Sequence, residues 1–374
     1  TVMTNVFLFG TLCWPDLLDS VAGLTCPKPT HAVLKEYSVK WAKGQAFPAI
    51  HKSPGVIASG LLLQGCDDTV LARMDHYESG FGYKLDPVIV DTALGSISAM
   101  VYLPPDWVEQ GENWVLSDWV SLHGLLALEA SHEVMSSVGT VSPAEMAQRY
   151  PLILQRADAR INANKKSSPA SSSGLMRTDV QVHEHRHPYV NFFSVQEIDI
   201  TVPRFDEKPS KPVTRAGFTG MDAAIVIPYD PIKDLLLLVE QFRVGPFLRG
   251  DMHPWMMEPI AGRVDVGEIP EQTAKREAFE EAGLHLSEVL KVHSGYASPG
   301  CTTEMFHIFV GIAELNLNSG ILAGLNSEAE DIKGHVMTFD AFYDALENGR
   351  FPVSPLAVAG YWLALNRQEL RKNF

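Results

Sequence analysis

Three glutamates, Glu277, Glu280 and Glu281, stand three and four residues apart, so a helix through them projects their carboxylates from adjacent turns toward one side. Like charges placed this way repel by about a few tenths of a kcal/mol per pair. A divalent cation turns that repulsion into binding, because Mg²⁺ takes a few carboxylates and fills its other positions with water and phosphate oxygens. Ala274, Ala278 and Ala282 form a neighbouring stripe narrow enough to lie against a sheet. Glu268 and Arg276 read as an ion pair bracing the preceding loop to this helix. The bland alternative is a solvated acidic face. A second carboxyl of interest is Glu78, which follows Asp75-His-Tyr; Tyr77, Phe81 and Tyr83 can form an apolar wall that lifts its pKa toward neutrality, as a proton shuttle requires. His183, His185 and His187 alternate and would share one face of a strand, where a polar strand edge is a better reading than a metal site. Trp107, Trp114 and Trp119 with Leu116, Leu122 and Leu125 read as a packed core or domain seam rather than a ligand box.

These groups need two domains to position them. With 374 residues, 46% apolar and 20% charged, the chain is long enough for more than one core. The polar stretch 163–175, Asn-Lys-Lys-Ser-Ser-Pro-Ala-Ser-Ser-Ser-Gly with its flanks, reads as a linker. The division is therefore 1–160, a linker at 161–176, and 177–374. The first part is strand-rich at Val6–Phe9, Val56–Leu63, Pro87–Val90 and Ser96–Leu103, and closes with helix opened by the capping box Ser142-Pro-Ala-Glu145 and bent or restarted by Pro151. It reads as a small mixed α+β barrel. In the second part, strands are expected at Tyr189–Val202, Ala223–Pro228, Leu235–Phe242 and Phe306–Val310, with helices at 270–282, 339–347 and 355–370. That is a sheet layered between helices.

Thirty Lys and Arg against 45 Asp and Glu leave a net charge of −15, which argues against binding nucleic acid or acidic lipid through a diffuse basic surface. No stretch approaches the ~20 apolar residues of a membrane helix, and Val6–Phe9 with a first basic residue at Lys28 reads as a first strand rather than a signal peptide. Cys13, Cys26, Cys66 and Cys301 have neither metal spacing nor a dense framework, and read as buried thiols in a reducing cytoplasm.

The segment Gly262 to Leu284, with Gly262, Glu268, Arg276-Glu277-Ala-Phe-Glu280-Glu281 and Gly283-Leu284, resembles the Nudix box at every defining position. The resemblance implies an α/β/α sandwich and metal-dependent hydrolysis of a nucleoside diphosphate linked to another moiety. It makes Glu277 and Glu281 principal ligands of Mg²⁺, with Mn²⁺ possible, Glu280 a further ligand or water-holding group, the Ala261 carbonyl a backbone ligand, and Glu268 an orienting group. Over about 189–370 the similarity is to ADP-ribose pyrophosphatases, through Asp222–Asp230, Leu238–Arg243, Glu258–Gly262, Ala297–Gly300 and Glu328–Ile332. Pro299 marks ADP-ribose as substrate. Glu328 matches the base of a mobile catalytic loop and Glu330 a metal or water ligand, with the two roles open to exchange. Arg243, backed by Glu258, would face the phosphates or terminal ribose, and Arg215 matches an arginine lent by a partner subunit. Relatives of this kind are two-fold dimers, here through Asn191–Val202.

Phe7-Leu-Phe9-Gly10-Thr11-Leu12 and Met74-Asp-His-Tyr77-Glu78-Ser-Gly-Phe-Gly-Tyr83 resemble the gamma-glutamylcyclotransferase-like domain over about 4–110. In that family the Gly10-Thr11-Leu12 turn holds a carboxylate on backbone amides, and the glutamate matched by Glu78 shuttles a proton. Phe9 replaces the usual tyrosine and Ser79 the usual glycine, so weak activity or none is expected, and catalysis and a silent fold stay open. The whole chain thus reads as a cytoplasmic, Mg²⁺-dependent ADP-ribose pyrophosphatase. The competing reading is an ADP-ribose or NAD-metabolite sensor whose first domain is an interaction or oligomerisation scaffold.

Overall fold

Successive residues of a strand face opposite ways, and Thr4–Leu8 uses both faces: Val6 and Leu8 point to a helical layer, while Phe7 points into a barrel. The computed structural model describes residues 3–165, 171–206, 208–317, 321–323 (backbone only) and 331–374. The chain divides into two compact units, Thr1–Ala216 and Gly217–Phe374.

In the first unit, five strands close on themselves in the order Pro48–Cys66, Thr4–Leu8, Gly95–Leu103, Lys84–Thr92, Thr30–Ala42, the last pairing back onto the first, and Gln110–Asn113 extends one edge. The interior holds Phe7, Leu34, Ile50, Leu62, Val90 and Val101. Helices Pro15–Ala22, Asp68–Glu78, Leu125–Ser136 and Pro143–Lys165 cover one side, packing Leu17, Val70, Met74, Val134 and Ile153 against Val6, Leu8 and Leu63. The capping box forms as expected, with Glu145 N–H donating to Ser142 Oγ at 3.3 Å and Ser142 N–H to Glu145 at 3.2 Å. The helix it opens runs through Pro151 to Lys165, inside the stretch read as linker.

The stretch expected as one strand, Tyr189–Val202, is a hairpin of Gln181–Val190 and Ser194–Thr201, with Val213–Thr219 as third strand. The turn at 191–193 is fixed from outside the hairpin. Arg149 and Arg156 donate to the carbonyls of Val190 and Phe192 at 2.7 and 2.8 Å, and Arg156 is itself held by the buried Glu133 at 2.6 Å. His183 and His185 bond across the hairpin to Thr201 and Gln196. Residues 181–201 fall within the first compact unit.

The second unit has a mixed sheet in the order Glu288–Tyr296, Met305–Ile312, Ala223–Asp230, Leu235–Phe242, Ile332–Thr338, Ile321–Ala323. The short strands Trp255–Glu258 and Ile260–Arg263 pair with Leu235–Phe242 and Ala223–Asp230. Helix Pro270–Ala282 lies on one face, where Ala274, Ala278 and Ala282 meet Val226, Leu237 and Val239. Helices Phe339–Glu347 and Ser354–Asn373 lie on the other, against Ile225, Ile227, Leu236 and Leu238. Burial on both faces explains why these strands read as unbroken apolar runs. This is the expected α/β/α sandwich. Of the cysteines, Cys66 is buried, Cys13 and Cys26 are partly buried, and Cys301 is exposed on the Ser298–Thr302 turn; the reading of all four as buried thiols fails for Cys301 because a tight turn holds it outside the core.

Candidate functional site

Ile269 precedes Pro270 at the start of the carboxylate helix, and Gly283, at φ 64°, ends it. Both are placed by backbone rules, proline in the first turn and glycine in the left-handed cap. The alanine stripe sets the helix close to the sheet, and the neighbouring flank carries the acids. Arg276 gathers them. Its Nε and Nη2 donate to the two oxygens of Glu268 at 3.1 and 3.0 Å, and its Nη1 to Glu277 at 2.7 Å and Glu280 at 3.0 Å. Glu268 also accepts from Thr273 Oγ1 at 2.7 Å, and the Arg276 guanidinium holds its carboxyl below the usual carboxylate range. The expected loop-to-helix brace is therefore a two-pronged ion pair. Glu281 is buried, 3% exposed.

The strand Ile260–Arg263 brings Gly262 under the helix, where a Cβ would fall on the Glu277 carboxylate. Glycine there is a steric requirement of the site. It lets Glu277 lie against the backbone that follows the Ala261 carbonyl. All the donors are hard oxygens, the set that suits Mg²⁺ or Mn²⁺. Among the described residues no three His, Cys, Asp or Glu side chains converge on one ligating point, since Arg276 holds the oxygens of Glu277 and Glu280. The residues fit a divalent cation once those oxygens turn from the guanidinium to it.

Nearby, Arg243 ends the strand Leu235–Phe242 and donates through Nε to Glu258 at 2.6 Å. Burial raises the Glu258 pKa, and Arg243 opposes the rise. The arginine remains 40% exposed while Glu258 is 12% exposed, so Glu258 stands behind a guanidinium that still faces outward.

The first unit has its own site. A cavity of about 730 Å³ is lined by Phe9, Gly10, Thr11 and Leu12 at the end of the first strand and by Glu78, Phe81 and Tyr83. Asp67 caps the helix Asp68–Glu78 by accepting from Val70 N–H at 2.9 Å, so Glu78 sits at its last turn. Gly80 allows the approach of the next helix, since a Cβ there would strike the Pro143 carbonyl, and this brings Tyr150 and Leu154 into the wall. Burial pushes the Glu78 carboxyl up to about 7. Trp107 and Trp119 also line the cavity, whereas Leu122 and Leu125 are exposed. The reading of these residues as core holds for Trp119, which is also cavity wall, and for Trp114 and Leu116 packed against the same core; it fails for Leu122, Leu125 and Trp107, the last 63% exposed. The signal that sequence reasoning missed lies in Phe47, Tyr102 and Tyr150, which are far apart in the chain and carry no motif.

A family model of the NUDIX domain matches residues 220–357, and one of gamma-glutamyl cyclotransferase, AIG2-like, matches residues 6–121. The ADP-ribose pyrophosphatase of Escherichia coli (strain K12) is 35% identical over 198 residues, 53% of this chain and 94% of that protein. The chain belongs to the Nudix hydrolases. A GDP-mannose pyrophosphatase of Escherichia coli O139:H28 is 32% identical over 159 residues, 42% of this chain and 81% of its own. A solved ADP compounds hydrolase aligns over 55% of this chain and 100% of its own, at 17% identity and a TM-score of 0.41.

Nudix hydrolases cleave pyrophosphate bonds with a divalent metal; here Glu268, Glu277 and Glu280 meet on Arg276, and Gly262 lies against Glu277. Pro299 is exposed on the turn in which Cys301 and Thr302 N–H groups donate to the Ser298 carbonyl. Arg215 is exposed, its guanidinium donating to the Thr214 carbonyl at 2.9 Å. Glu328 and Glu330 lie outside the described residues.

Proposed function

We propose that this Nudix hydrolase cleaves ADP-ribose with water to AMP and ribose 5-phosphate, using Mg²⁺ or, in its place, Mn²⁺. The observation that carries the reading is the intact acidic helix, with Glu277, Glu280 and Glu268 gathered on Arg276 above Gly262. The choice of substrate rests on the relative that matches at the higher identity and over the larger share of its own length, an ADP-ribose pyrophosphatase. Glu277, Glu281 and the Ala261 carbonyl would hold the cation, with Glu280 as a further ligand or as anchor of the attacking water. The cation supplies charge neutralisation at the pyrophosphate and a lowered pKa for that water. Glu268 keeps Arg276 in place. Arg243, braced by Glu258, binds the phosphates or terminal ribose; Pro299 and Arg215 are assigned to substrate by resemblance, as are Glu328 as base and Glu330 as ligand. The test is AMP formation from ADP-ribose and GMP formation from GDP-mannose by the full chain, with Mg²⁺ or with a chelator. Metal-dependent AMP formation faster than GMP formation is expected; binding of ADP-ribose without turnover would favour the sensor instead. The resemblance also carries a two-fold dimer in the cytoplasm; a monomer mass in sedimentation at assay concentration counts against the dimer.

A second activity rests on a separate observation. Glu78 lies in a 730 Å³ cavity with its carboxyl lifted to about 7, the range a proton shuttle at neutral pH needs. We infer that the first unit is a working cyclotransferase in which Glu78 moves the proton, tested by release of 5-oxoproline from gamma-glutamyl amides and its loss in Glu78→Gln.

A further inference from the structure

Two polar atoms on the cavity wall are already used within the barrel. Trp119 Nε1 donates to the Ala46 carbonyl at 2.8 Å and the Tyr83 hydroxyl to the Pro48 carbonyl at 2.9 Å, so both rings offer a ligand mainly their carbon surface. Phe9 presents a ring without a hydroxyl beside the Gly10–Leu12 turn, where the cyclotransferase pattern has tyrosine. Phe81 and Tyr150 continue the wall, their rings 5.2 Å apart edge to face. Among the described residues that line the cavity there is no Lys or Arg, and Glu78 is the one carboxylate. The buried hydroxyl of Tyr102, a residue 4% exposed, has no hydrogen-bond partner among the described residues. A buried hydroxyl left so is costly until something bonds it. Beside Glu78 and the tyrosine hydroxyls the polar side chains of the lining are Thr11, Gln45 and His123, while ten of its 24 described residues are Phe, Tyr or Trp.

We propose that the cavity takes a gamma-glutamyl amide whose amine part is a bulky, uncharged aromatic group. The proposal rests on the cyclotransferase reading of Glu78 and names the substrate class. The cavity of about 730 Å³ falls in the ~300–1,000 Å³ range that encloses drug-sized ligands, well beyond what a glutamyl group fills. A second carboxylate on the amine part would lose its water and meet no Lys or Arg there. In the reaction the α-nitrogen of the glutamyl group attacks the γ-carbonyl carbon and the amide C–N bond breaks. The two protons lost by the α-ammonium, one carried by Glu78, end on the departing amine. Gamma-glutamyl amide gives 5-oxoproline and a free ammonium ion, with no water or oxidant consumed.

The test uses the full chain with gamma-glutamyl benzylamide, ethylamide and gamma-glutamyl-glutamate, and with the ε-linked gamma-glutamyl-lysine, reading 5-oxoproline release and, separately, calorimetric binding. The benzylamide is expected to have a kcat/KM at least about tenfold above the others, one 1.4 kcal/mol step in selectivity. Trp107→Ala, at an exposed position that leaves the core intact, is expected to raise KM for the benzylamide several-fold more than for the ethylamide. Equal or faster release from the small or charged amides overturns the proposal. Tight binding of the benzylamide with no release from any amide keeps the ligand class and removes the catalytic reading of Glu78, whereas neither binding nor release overturns both.

Discussion

Glu277 keeps its place because residue 262 has no side chain, and Gly262→Ala separates geometry from chemistry without touching a carboxylate. The added methyl would displace Glu277, and a misplacement of about 1 Å costs on the order of 10²-fold in rate. ADP-ribose hydrolysis is expected to fall by that order while the far-ultraviolet circular dichroism is unchanged. Glu281→Gln keeps volume at a buried position, 3% exposed, and removes the anionic oxygen; hydrolysis is expected to fall by orders of magnitude, and near-parental turnover at saturating Mg²⁺ would remove Glu281 from the site. Glu78 carries a pH prediction. Its carboxyl is raised from 4.5 to about 7 in the fold, so the folded state holds the proton more tightly than the unfolded state. The first unit therefore loses stability as pH rises from about 4.5 through about 7, and levels off above that. Glu78→Gln removes this slope and is expected to stabilise the protein at about pH 8 by at most about 3 kcal/mol, with little change at about pH 4. Urea unfolding followed by tryptophan fluorescence checks it, since five of the seven tryptophans lie in the first unit.

The helix Pro270–Ala282 works because one side is small and the other acidic. Ala274 and Ala278 are fully buried against the sheet, so Ala278→Leu forces helix and sheet apart. The expected cost is about 1–3 kcal/mol, read as a lower urea midpoint, with a loss of hydrolysis that exceeds the loss of stability because the carboxylates shift with the helix. Its start, its end and its stripes are local properties, and all were legible in the sequence. The helix Pro143–Lys165 was legible only in part. A proline removes one backbone donor and crowds the preceding turn, which predicts a bend or restart at Pro151. The helix does not restart: it runs unbroken through Pro151, with Met146, Ile153 and Ala157 packed in the core. The hairpin at 181–201 was misread for a related reason: its turn is secured by Arg149 and Arg156 from another element, and no turn motif marks it.

At the scale of the molecule, the described lining of the cavity falls within residues 7–154 of the first unit, and the carboxylates gathered on Arg276 fall within 268–280 of the second. Glu78→Gln is accordingly expected to leave ADP-ribose hydrolysis within about twofold of the parent, and Glu281→Gln to leave 5-oxoproline release equally unaffected, surface and remote changes being nearly additive. Both are measured on the full chain. A fall of tenfold in the other site's activity for either variant would show that the two sites are coupled.

The acidic helix, its punctuation and the Glu268–Arg276 pair were determined by the sequence, because their residues lie within one or two helical turns or a short loop of one another and spacing alone sets their geometry. The likeness to the two families was equally legible, since the Nudix box is one contiguous stretch and the cyclotransferase pattern two short ones. What the tertiary structure decided is different in kind. The nearness of Gly262 to Glu277, the brace of Glu258 on Arg243 and the aromatic wall around Glu78 join residues from separate strands and helices. Contacts of that sort depend on which element lies against which, and a side chain's type does not record its distant neighbours.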